Sequence, residues 1–364
     1  MSAGPAAAGG AEQANEGYRA FLGLASHECF HAWNVKRIKP AAFTPYDLDA
    51  ENYTTLLWAF EGITSYYDDL MLVRGGLIDE REYLELVGRN ITNLVRTPGR
   101  LVQSLADASF DAWIKYYRQD ENTPNVHVSY CLKGSLVDLA LDLAIRGRTD
   151  GRRSLDDVMR ALWRGHGRTG VGVPEGGVER IAEGIAGFDL KRFFDQALRS
   201  TGELPLVKLL ASAGVKLAMR SPDTQGDRDS RDSGARGDAP RARGTLDAKT
   251  TSDPAGVKLV NVFDGGAAQA AGLSAGDIVI ALDGVRVTGS SFDARLGRLP
   301  PGARVRAHAF RRDELIQCEV VVRPQPDDTC HLEIDPRAGA KASRLRGAWL
   351  KGKKETVRSA SPRS

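Results

Sequence analysis

Hydrophobic positions recur along the chain with two different periods, and the change between them divides the sequence. From about residue 17 to about residue 200, apolar residues recur at three- and four-residue steps, as in YLELVGRNITNLV (83–95) and SLVDLALDLAI (135–145), which is typical of amphipathic helices. After residue 254 the period falls to two, and glycines separate short runs such as DIVIALDG, which predicts short strands. The pattern therefore predicts a mainly helical domain followed by a small β-rich domain.

Three segments lack the apolar residues that a folded core requires. Residues 1–16 are rich in alanine and glycine, and residues 221–254 are mainly Asp, Arg, Ser and Gly. Such segments cannot bury enough apolar surface to offset the entropy lost on ordering, so we expect both to be disordered. Residues 336–364 are basic, and we expect a solvated tail there. The predicted organisation is a helical domain over 17–202 and a β-rich domain over 203–335 that contains the disordered insertion.

Composition and charge remove several classes of protein from consideration. The chain has 364 residues, of which 42% are hydrophobic and 27% charged, as in ordinary globular proteins of more than one domain. Its net charge of +3 gives no reason to expect a nucleic-acid partner. No run of 18 apolar residues is present, so we expect no membrane span, and without a recognisable signal peptide the default expectation is the cytoplasm. The four cysteines form no C-x-x-C pair, so a cysteine zinc site is not expected.

A His-Glu-x-x-His pentad carries the most specific chemistry in the sequence. Residues four apart share one face of a helix, so His27 and His31 can bind one Zn²⁺ ion. Glu28 can then take a proton from a water molecule whose pKa the metal lowers to about 7. With six histidines in the chain, chance produces this pattern in well under about one in a hundred such sequences. The alternative interpretation is a structural helix on which carbonyl groups cap both histidines.

A catalytic zinc ion needs a third protein ligand. The run LLWAFEGITSYYDDL (56–70) predicts a second helix in which Glu61 lies among apolar and aromatic residues. A carboxylate buried there needs a partner, and a metal ion supplies one. Glu51, in the polar stretch DLDAEN, is the main alternative, although a solvated or capping role suits it better. Asp47, Asp49, Asp68 and Asp69 are further candidates. We therefore predict His27, His31 and Glu61 as the ligands of one zinc ion.

These motifs resemble those of gluzincin metallopeptidases. The pentad with Glu61 in WAFEGITSYY is similar to aminopeptidase N-type enzymes, and the longer runs FLGLASHECFHAWNVKRIKP and ENYTTLLWAFEGITSYYDDLMLVRGGL are closer to the glycyl aminopeptidase family. The resemblance covers roughly residues 17–350. It implies a multidomain α+β protein with a thermolysin-like helical zinc peptidase domain and a C-terminal PDZ domain. It also implies hydrolysis of peptide or protein substrates with small N-terminal residues such as Gly or Ala, with Glu28 as general base and then general acid.

The same resemblance implies a tyrosine that stabilises the oxyanion, in a Tyr-Tyr-x-Lys-Gly segment just before a helix. The matching stretch, SYCLKG (129–134), has Cys131 at the position of that tyrosine, and a thiol is a poor replacement for a phenol hydrogen bond. Tyr130, one residue earlier, is therefore our candidate stabiliser. The alternatives are a contribution from His127, weakened activity, or an ordinary packing role for Tyr130.

The family normally begins with a β-rich domain and a Gly-Gly-Leu-Glu-His-like strand that holds the free amine of the substrate. Only about 26 residues precede His27, and that motif is not among them. We therefore expect a shortened chain that keeps the zinc chemistry and loses part of its specificity for peptide N-termini.

The stretch GGAAQAAGLSAGDIVIALDGVRV (265–287) resembles the central part of a PDZ domain. In such a domain LLASAGVKLAM (209–219) would supply the first groove strand, with the backbone amides of Ala213, Gly214 and Val215 facing the terminal carboxylate of a bound peptide. A purely structural PDZ domain is the alternative. The competing function for the whole chain is a truncated, weakly active or inactive homologue whose PDZ domain binds C-terminal peptide tails.

Overall fold

The structure is a computed structural model that describes residues 5–222 and 244–352. The α-helices are α1 (Pro5–His31), α2 (Ile63–Arg74), α3 (Glu80–Val95), α4 (Leu105–Phe110), α5 (Thr123–Val126), α6 (Tyr130–Arg148), α7 (Leu155–Leu162), α8 (Gly177–Ala186), α9 (Lys191–Leu198), α10 (Leu206–Ser212), α11 (Ala267–Ala270), α12 (Phe292–Leu296) and α13 (Ala340–Lys351). The strands are β1 (Val215–Arg220), β2 (Gly244–Thr245), β3 (Ala248–Ser252), β4 (Val257–Val262), β5 (Ile278–Leu282), β6 (Val285–Arg286), β7 (Arg304–Arg311), β8 (Glu314–Val321), β9 (Arg323–Pro324) and β10 (Thr329–Ile334). Short π-helical turns lie at Trp58–Gly62, Ala112–Tyr116 and Trp163–Gly167, and 3₁₀ turns at Ala41–Phe43 and Pro98–Leu101. Helix and sheet are thus combined in one chain, as the sequence predicts.

Helix α6 runs through the centre of the helical domain. Every residue from 133 to 143 is buried, as expected for a helix enclosed by other elements. The π-helical turn Trp58–Gly62 crosses α6 at very short range, because a Cβ on Gly62 would lie 2.7 Å from the Cα of Gly134. No side chain fits between the two backbones at this point, so this pair of glycines sets how closely the turn approaches α6.

Strands β1 and β10 pair antiparallel and belong to the helical domain. Val215 lies opposite Ile334, and Arg220 lies opposite Thr329. Both strands contribute to the core of the helical domain, and the backbone N–H of Cys330 donates to Thr92 Oγ1 on α3 at 2.9 Å. The helical domain therefore continues to residue 220 and resumes at residue 329. The predicted boundaries at 202 and 335 are wrong by this criterion, because pairing between distant strands leaves no mark in local composition.

The β-rich domain lies between β1 and β10 in the chain. It has its own core, formed by buried residues from Leu246 to Val322. Its main sheet has the strand order β3-β4-β5-β7-β8, with β6 paired to β5, and β2 pairs separately with β9. All of these pairings are antiparallel. The change to a two-residue period thus predicted a real structural boundary.

Three segments that we expected to lack structure are ordered where the structure describes them. The chain is helical from Pro5 onward within α1, although residues 1–16 were expected to be disordered. Residues 244–252, assigned to the insertion, form β2 and β3. The basic tail contains α13, in which Leu345, Trp349 and Leu350 are buried. The larger part of the predicted insertion (223–243) and the end of the tail (353–364) lie outside the described residues.

None of the helices within residues 5–222 and 244–352 combines the length and the apolar character needed to cross a bilayer.

Candidate metal centre

The last turn of α1 carries the two histidines of the pentad. His27 and His31 are four residues apart, and their rings meet edge to face with centroids 4.6 Å apart. The helix ends at His31, and Asn34, three residues later, has a buried side chain. Its amide donates to the carbonyl oxygens of Ala59 at 3.1 Å and Phe60 at 3.2 Å. These two bonds fix the end of α1 against the π-helical turn Trp58–Gly62.

Glu61 lies on that turn and faces both histidines. Its Oε2 atom is 3.5 Å from His27 Nε2 and 3.5 Å from His31 Nε2. Among the described residues, His27, His31 and Glu61 form the group of possible metal ligands whose ligand atoms all lie within 4.8 Å of one another. These atoms are close enough to share one metal ion. A π-helical turn is rare and is often found at functional sites.

The other ring nitrogen of each histidine already has a partner. His27 Nδ1 lies 3.1 Å from Asp68 Oδ2, on α2, and His31 Nδ1 lies 2.8 Å from the carbonyl oxygen of Asn34. These partners favour a proton on Nδ1, so Nε2, which faces Glu61, is the nitrogen of each ring that can coordinate a metal ion. Carboxylate and carbonyl partners of this kind orient the histidine ligands of metal ions in proteins.

The electrostatics of the cluster favour a cation at its centre. Burial raises the pKa of Glu61, but hydrogen bonds from His27 and His31 outweigh it and lower this pKa to about 2. Hydrogen bonds to Asp68 and then Glu61 raise the pKa of His27 to about 10, although burial opposes them. The carboxylate of Glu61 also raises the pKa of His31. The extra protons on the two imidazoles supply positive charge beside Glu61. A bound metal ion would replace these protons and supply the positive charge instead.

The donor set and its spacing fit a zinc ion. Zn²⁺ binds His nitrogen and Glu oxygen at about 2.0–2.2 Å in tetrahedral sites, which places neighbouring ligand atoms about 3.4 Å apart. The two separations of 3.5 Å from Glu61 match this value. Two imidazoles and one carboxylate are also the ligand types of catalytic zinc sites that leave a fourth position open.

Two acidic residues predicted near the site have different surroundings. Glu28 is exposed, next to His27 on α1, and is not one of the three clustered ligands. Glu51, the alternative third ligand, lies outside the cluster: it accepts a hydrogen bond from Tyr53 and is 3.9 Å from Arg118. The structure therefore groups Glu61, rather than Glu51, with the histidines.

The candidate oxyanion stabiliser, Tyr130, is directed elsewhere. It is buried, with 2% of its surface exposed, and its hydroxyl donates to Tyr117 Oη at 3.3 Å. Cys131 is the residue near the cluster: burial and then the Glu61 carboxylate raise the pKa of its thiol to about 12. Burial and then the nearby Cys131 raise the pKa of the Tyr116 hydroxyl. Tyr116 is therefore a second tyrosine that lies beside Cys131.

Sequence reasoning missed Tyr116 and Asn34, and it named Asp68 as a possible third ligand rather than as the partner of His27. The only available signal for Tyr116 was the tyrosine pair in IKYYRQ, which has no spacing rule that links it to Cys131. His127, considered as a helper, packs its ring 5.7 Å from that of Tyr116. It is buried, and neither of its ring nitrogens has a hydrogen-bond partner in the part of the chain that the structure describes. Burial also lowers the pKa of His127.

The predicted peptide groove at Ala213, Gly214 and Val215 is wrong. Ala213 and Val215 are fully buried, and the carbonyl oxygen of Gly214 accepts a hydrogen bond from the backbone N–H of Asp335 at 2.9 Å. A Cβ on Gly214 would lie 2.7 Å from Ala338 Cβ. The segment after β10 covers this turn, so no peptide can add a strand there.

Comparison with known proteins now adds to this geometry. Residues 20–137 match the family model described as M61 glycyl aminopeptidase. A solved structure, an aminopeptidase N family protein from Idiomarina loihiensis, is 39% identical and superposes with a TM-score of 0.83 over 92% of this chain. The chain belongs to the glycyl aminopeptidase family. It spans 55% of the length of that Idiomarina protein. The side chains of His27, His31 and Glu61, and that of Tyr116, all lie within the matched segment.

Two further solved structures share only a small part of the chain. The HtrA-type protease AlgW with a decapeptide is 20% identical over 23% of this chain and 30% of its own, with a TM-score of 0.23. A serine endoprotease from Yersinia pestis is 18% identical over 24% of this chain and 30% of its own, with a TM-score of 0.22. Neither similarity supports a functional argument. A search of curated protein sequences gives no significant match.

Proposed function

We propose that this glycyl aminopeptidase family member is a zinc-dependent metallopeptidase of the aminopeptidase type. Its substrates would be peptides or proteins with small N-terminal residues such as Gly or Ala. The observation that carries the proposal is the position of Glu61 Oε2, 3.5 Å from Nε2 of both His27 and His31. This arrangement, in a chain of this family, favours peptide hydrolysis over a structural role for the pentad.

The side chains around the cluster would have different roles in peptide hydrolysis. His27, His31 and Glu61 would hold the metal, which when bound polarises a carbonyl group and acidifies a nearby water molecule. Glu28 takes the proton of the attacking water and passes it to the leaving amine. Asp68 keeps the His27 ring in the orientation that the ligand role needs.

Tyr116 is the residue we propose for the developing oxyanion. A preorganised donor placed where negative charge develops stabilises the transition state more than the ground state. Cys131 contributes to the raised pKa of Tyr116, and Glu61 contributes to the raised pKa of Cys131, so the phenol, the thiol and the proposed third ligand are neighbours. Tyr116 would thus compensate for the thiol at the position where we expected a tyrosine.

Metal content and reporter cleavage test the proposal together. We expect stoichiometric zinc in the purified protein, and release of a Gly- or Ala-linked reporter that a chelator abolishes. Glu28→Gln should keep the zinc and lose about 10²–10⁴-fold in rate. His27→Ala should lose both zinc and activity, and Glu51→Gln, the matched control, should keep both. Protein without zinc, or Glu28→Gln protein with the wild-type rate, would show the proposal to be wrong.

A second candidate function, peptide binding by the β-rich domain, is favoured by one observation. Strand β3 pairs with β4 on one side, and a cleft of about 1220 Å³ runs beside Ala248, Lys249 and Thr250 of β3 and Asp293 of α12. An extended peptide can add to a sheet edge of this kind. Zinc-free protein that binds C-terminal peptides with no reporter cleavage would support this function in place of the enzyme.

A further inference from the structure

A second polar site lies in the helical domain, away from the candidate metal centre. It is a cavity of about 40 Å³ between α3, the start of α6 and the segment that leads into α10. Most of its wall is apolar, and its charged residues are Arg100, Lys133 and Glu203. A water molecule needs about 10–15 Å³ of such volume, so the cavity has room for a ligand of a few non-hydrogen atoms.

Lys133 is the unusual member of this wall. Only 3% of its surface is exposed, and its Nζ atom is buried without a hydrogen-bond partner among residues 5–222 and 244–352. It is the fourth residue of α6, where the positive end of the helix dipole makes a cation unfavourable. A buried ammonium group without a partner is costly, so this position calls for a negative charge.

The nearby charged residues supply that charge only in part: burial lowers the pKa of Lys133, and the Glu203 carboxylate opposes this without offsetting it. The carboxylate of Glu203 is already engaged, since its Oε1 atom lies 3.2 Å from Arg100 Nη2, and 66% of its side chain is exposed to solvent. Arg100 in turn has a buried Nε atom with no partner in the described part of the chain. Two cations and one carboxylate therefore surround the cavity, which leaves it with a net positive charge.

We propose that this cavity binds a small monovalent carboxylate, of the size of acetate or propionate, between Lys133 and Arg100. The carboxylate would satisfy the ammonium of Lys133 and the free Nε of Arg100, since charge-assisted hydrogen bonds of this kind are strong. Leu94, Leu136 and Leu204 line the same cavity and would contact the alkyl group of the ligand. The cavity shares no residue with the His27, His31 and Glu61 cluster, so this site is independent of the proposed peptidase function.

Thermal unfolding at constant ionic strength tests the site, with sodium acetate replacing sodium gluconate, whose anion is too large for the cavity. We expect acetate to raise the Tm of the full chain by about 2–4 °C, because a ligand that binds only the folded state stabilises it. Lys133→Met, which keeps the side-chain volume and removes the charge, should abolish the rise. Lys208→Met, at an exposed position on α10, is the matched control and should show the same rise as wild type.

A second variant and a second anion make the outcome decisive. If Lys133→Met does not fold, Arg100→Gln decides the test: the site predicts that its acetate-dependent rise falls by half or more. An unchanged rise in either variant, or no rise in wild type, overturns the proposal. A rise with chloride equal to that with acetate overturns the carboxylate assignment and indicates a halide site.

Discussion

A local irregularity of the backbone positions the phenol of Tyr116. The residue ends the π-helical turn Ala112–Tyr116, which follows α4. Its ring packs 4.7 Å from that of Tyr130 and 5.7 Å from that of His127, measured between centroids. These contacts restrict the ring, and burial and then the nearby Cys131 raise the pKa of its hydroxyl.

Substitution of the two tyrosines separates the catalytic role from the packing role. Tyr116→Phe keeps the ring and removes the hydroxyl, so we expect kcat to fall by about 10²–10³-fold with little change in KM or zinc content. Tyr130→Phe, the control, should change kcat by less than threefold, since its hydroxyl faces Tyr117. A larger loss in Tyr130→Phe than in Tyr116→Phe would return the oxyanion role to Tyr130.

The predictability of the site from sequence depends on how far apart its residues lie in the chain. Helix geometry alone places His27 and His31 together, and the apolar surroundings of Glu61 in the sequence pointed to a buried carboxylate in need of a partner. Asp68 and Tyr116 reach the site only because α2 and the Ala112–Tyr116 turn pack beside α1 and α6. No spacing rule in the sequence encodes such packing, so Tyr116 could not be predicted, and Asp68 could be named only as a possible ligand.

Helix α13 was not predicted from the sequence because the segment that forms it is rich in charged residues. Its many Lys and Arg residues led us to expect a solvated tail, but Leu345 and Trp349, four residues apart, face the core. The indole of Trp349 donates to Tyr66 Oη at 3.0 Å. Arginine side chains also bind carbonyl groups of its last turn, with Arg74 2.9 Å from Trp349 O and Arg146 2.8 Å from Ala348 O. These bonds satisfy groups that a helix C-terminus leaves unpaired.

Asp156 holds both of these arginines in position. It lies 2.9 Å from Arg74 and 3.1 Å from Arg146. Burial raises the pKa of Asp156, but hydrogen bonds from Arg74 and Tyr67 outweigh it and lower this pKa from 3.8 to about 2. That difference corresponds to about 2 kcal/mol of stability at neutral pH. The carboxylate therefore links α2, α6 and α7 to the docking surface of α13.

We expect Asp156→Asn to lower the free energy of unfolding by at least about 2 kcal/mol at pH 7. A carboxylate whose pKa is lowered by folding stabilises the fold above its unfolded pKa, and this contribution disappears as the pH falls from about 4 toward 2. The difference between wild type and variant should therefore narrow between pH 4 and pH 2, as measured by urea unfolding. Asp313→Asn, at an exposed turn of the β-rich domain, is the control and should show no such convergence. A difference that stays constant with pH would contradict the role of Asp156.

At the scale of the whole molecule, the β-rich domain is an insertion in a hairpin of the helical domain. Its two ends are adjacent, since Arg220 pairs with Thr329. Specific contacts also join the domains: Asn125 donates to Val262 O at 2.9 Å, and Asn261 donates to Glu121 O at 2.9 Å. The two-residue period in the sequence predicted the β-rich domain itself. The nesting could not be predicted, because it depends on pairing between strands more than a hundred residues apart.

Removal of the insertion tests this arrangement. We expect a chain in which Asn-Gly replaces residues 222–327 to fold, because that dipeptide forms a tight hairpin turn and the paired strand ends lie only about 5 Å apart. Circular dichroism should show a cooperative transition, and zinc binding should persist. A longer deletion that also removes β1 and β10 should aggregate, because Val215 and Cys330 belong to the helical core. If the chain that lacks only residues 222–327 did not fold, the contacts between the two domains would be essential for folding.

The contribution of β10 and α13 to the helical core has a consequence for protein synthesis. A ribosome makes α2 and α6 before the β-rich domain, but Cys330, Leu345 and Trp349 complete the core around these helices only when almost the whole described chain has been made. Until then the nascent chain exposes apolar surface on α2 and α6, which is the state in which partly folded proteins aggregate. The β-rich domain has its own core and can fold earlier. Synthesis of the helical domain therefore starts before that of the β-rich domain and ends after it. We expect dependence on chaperones to be greatest between these two points.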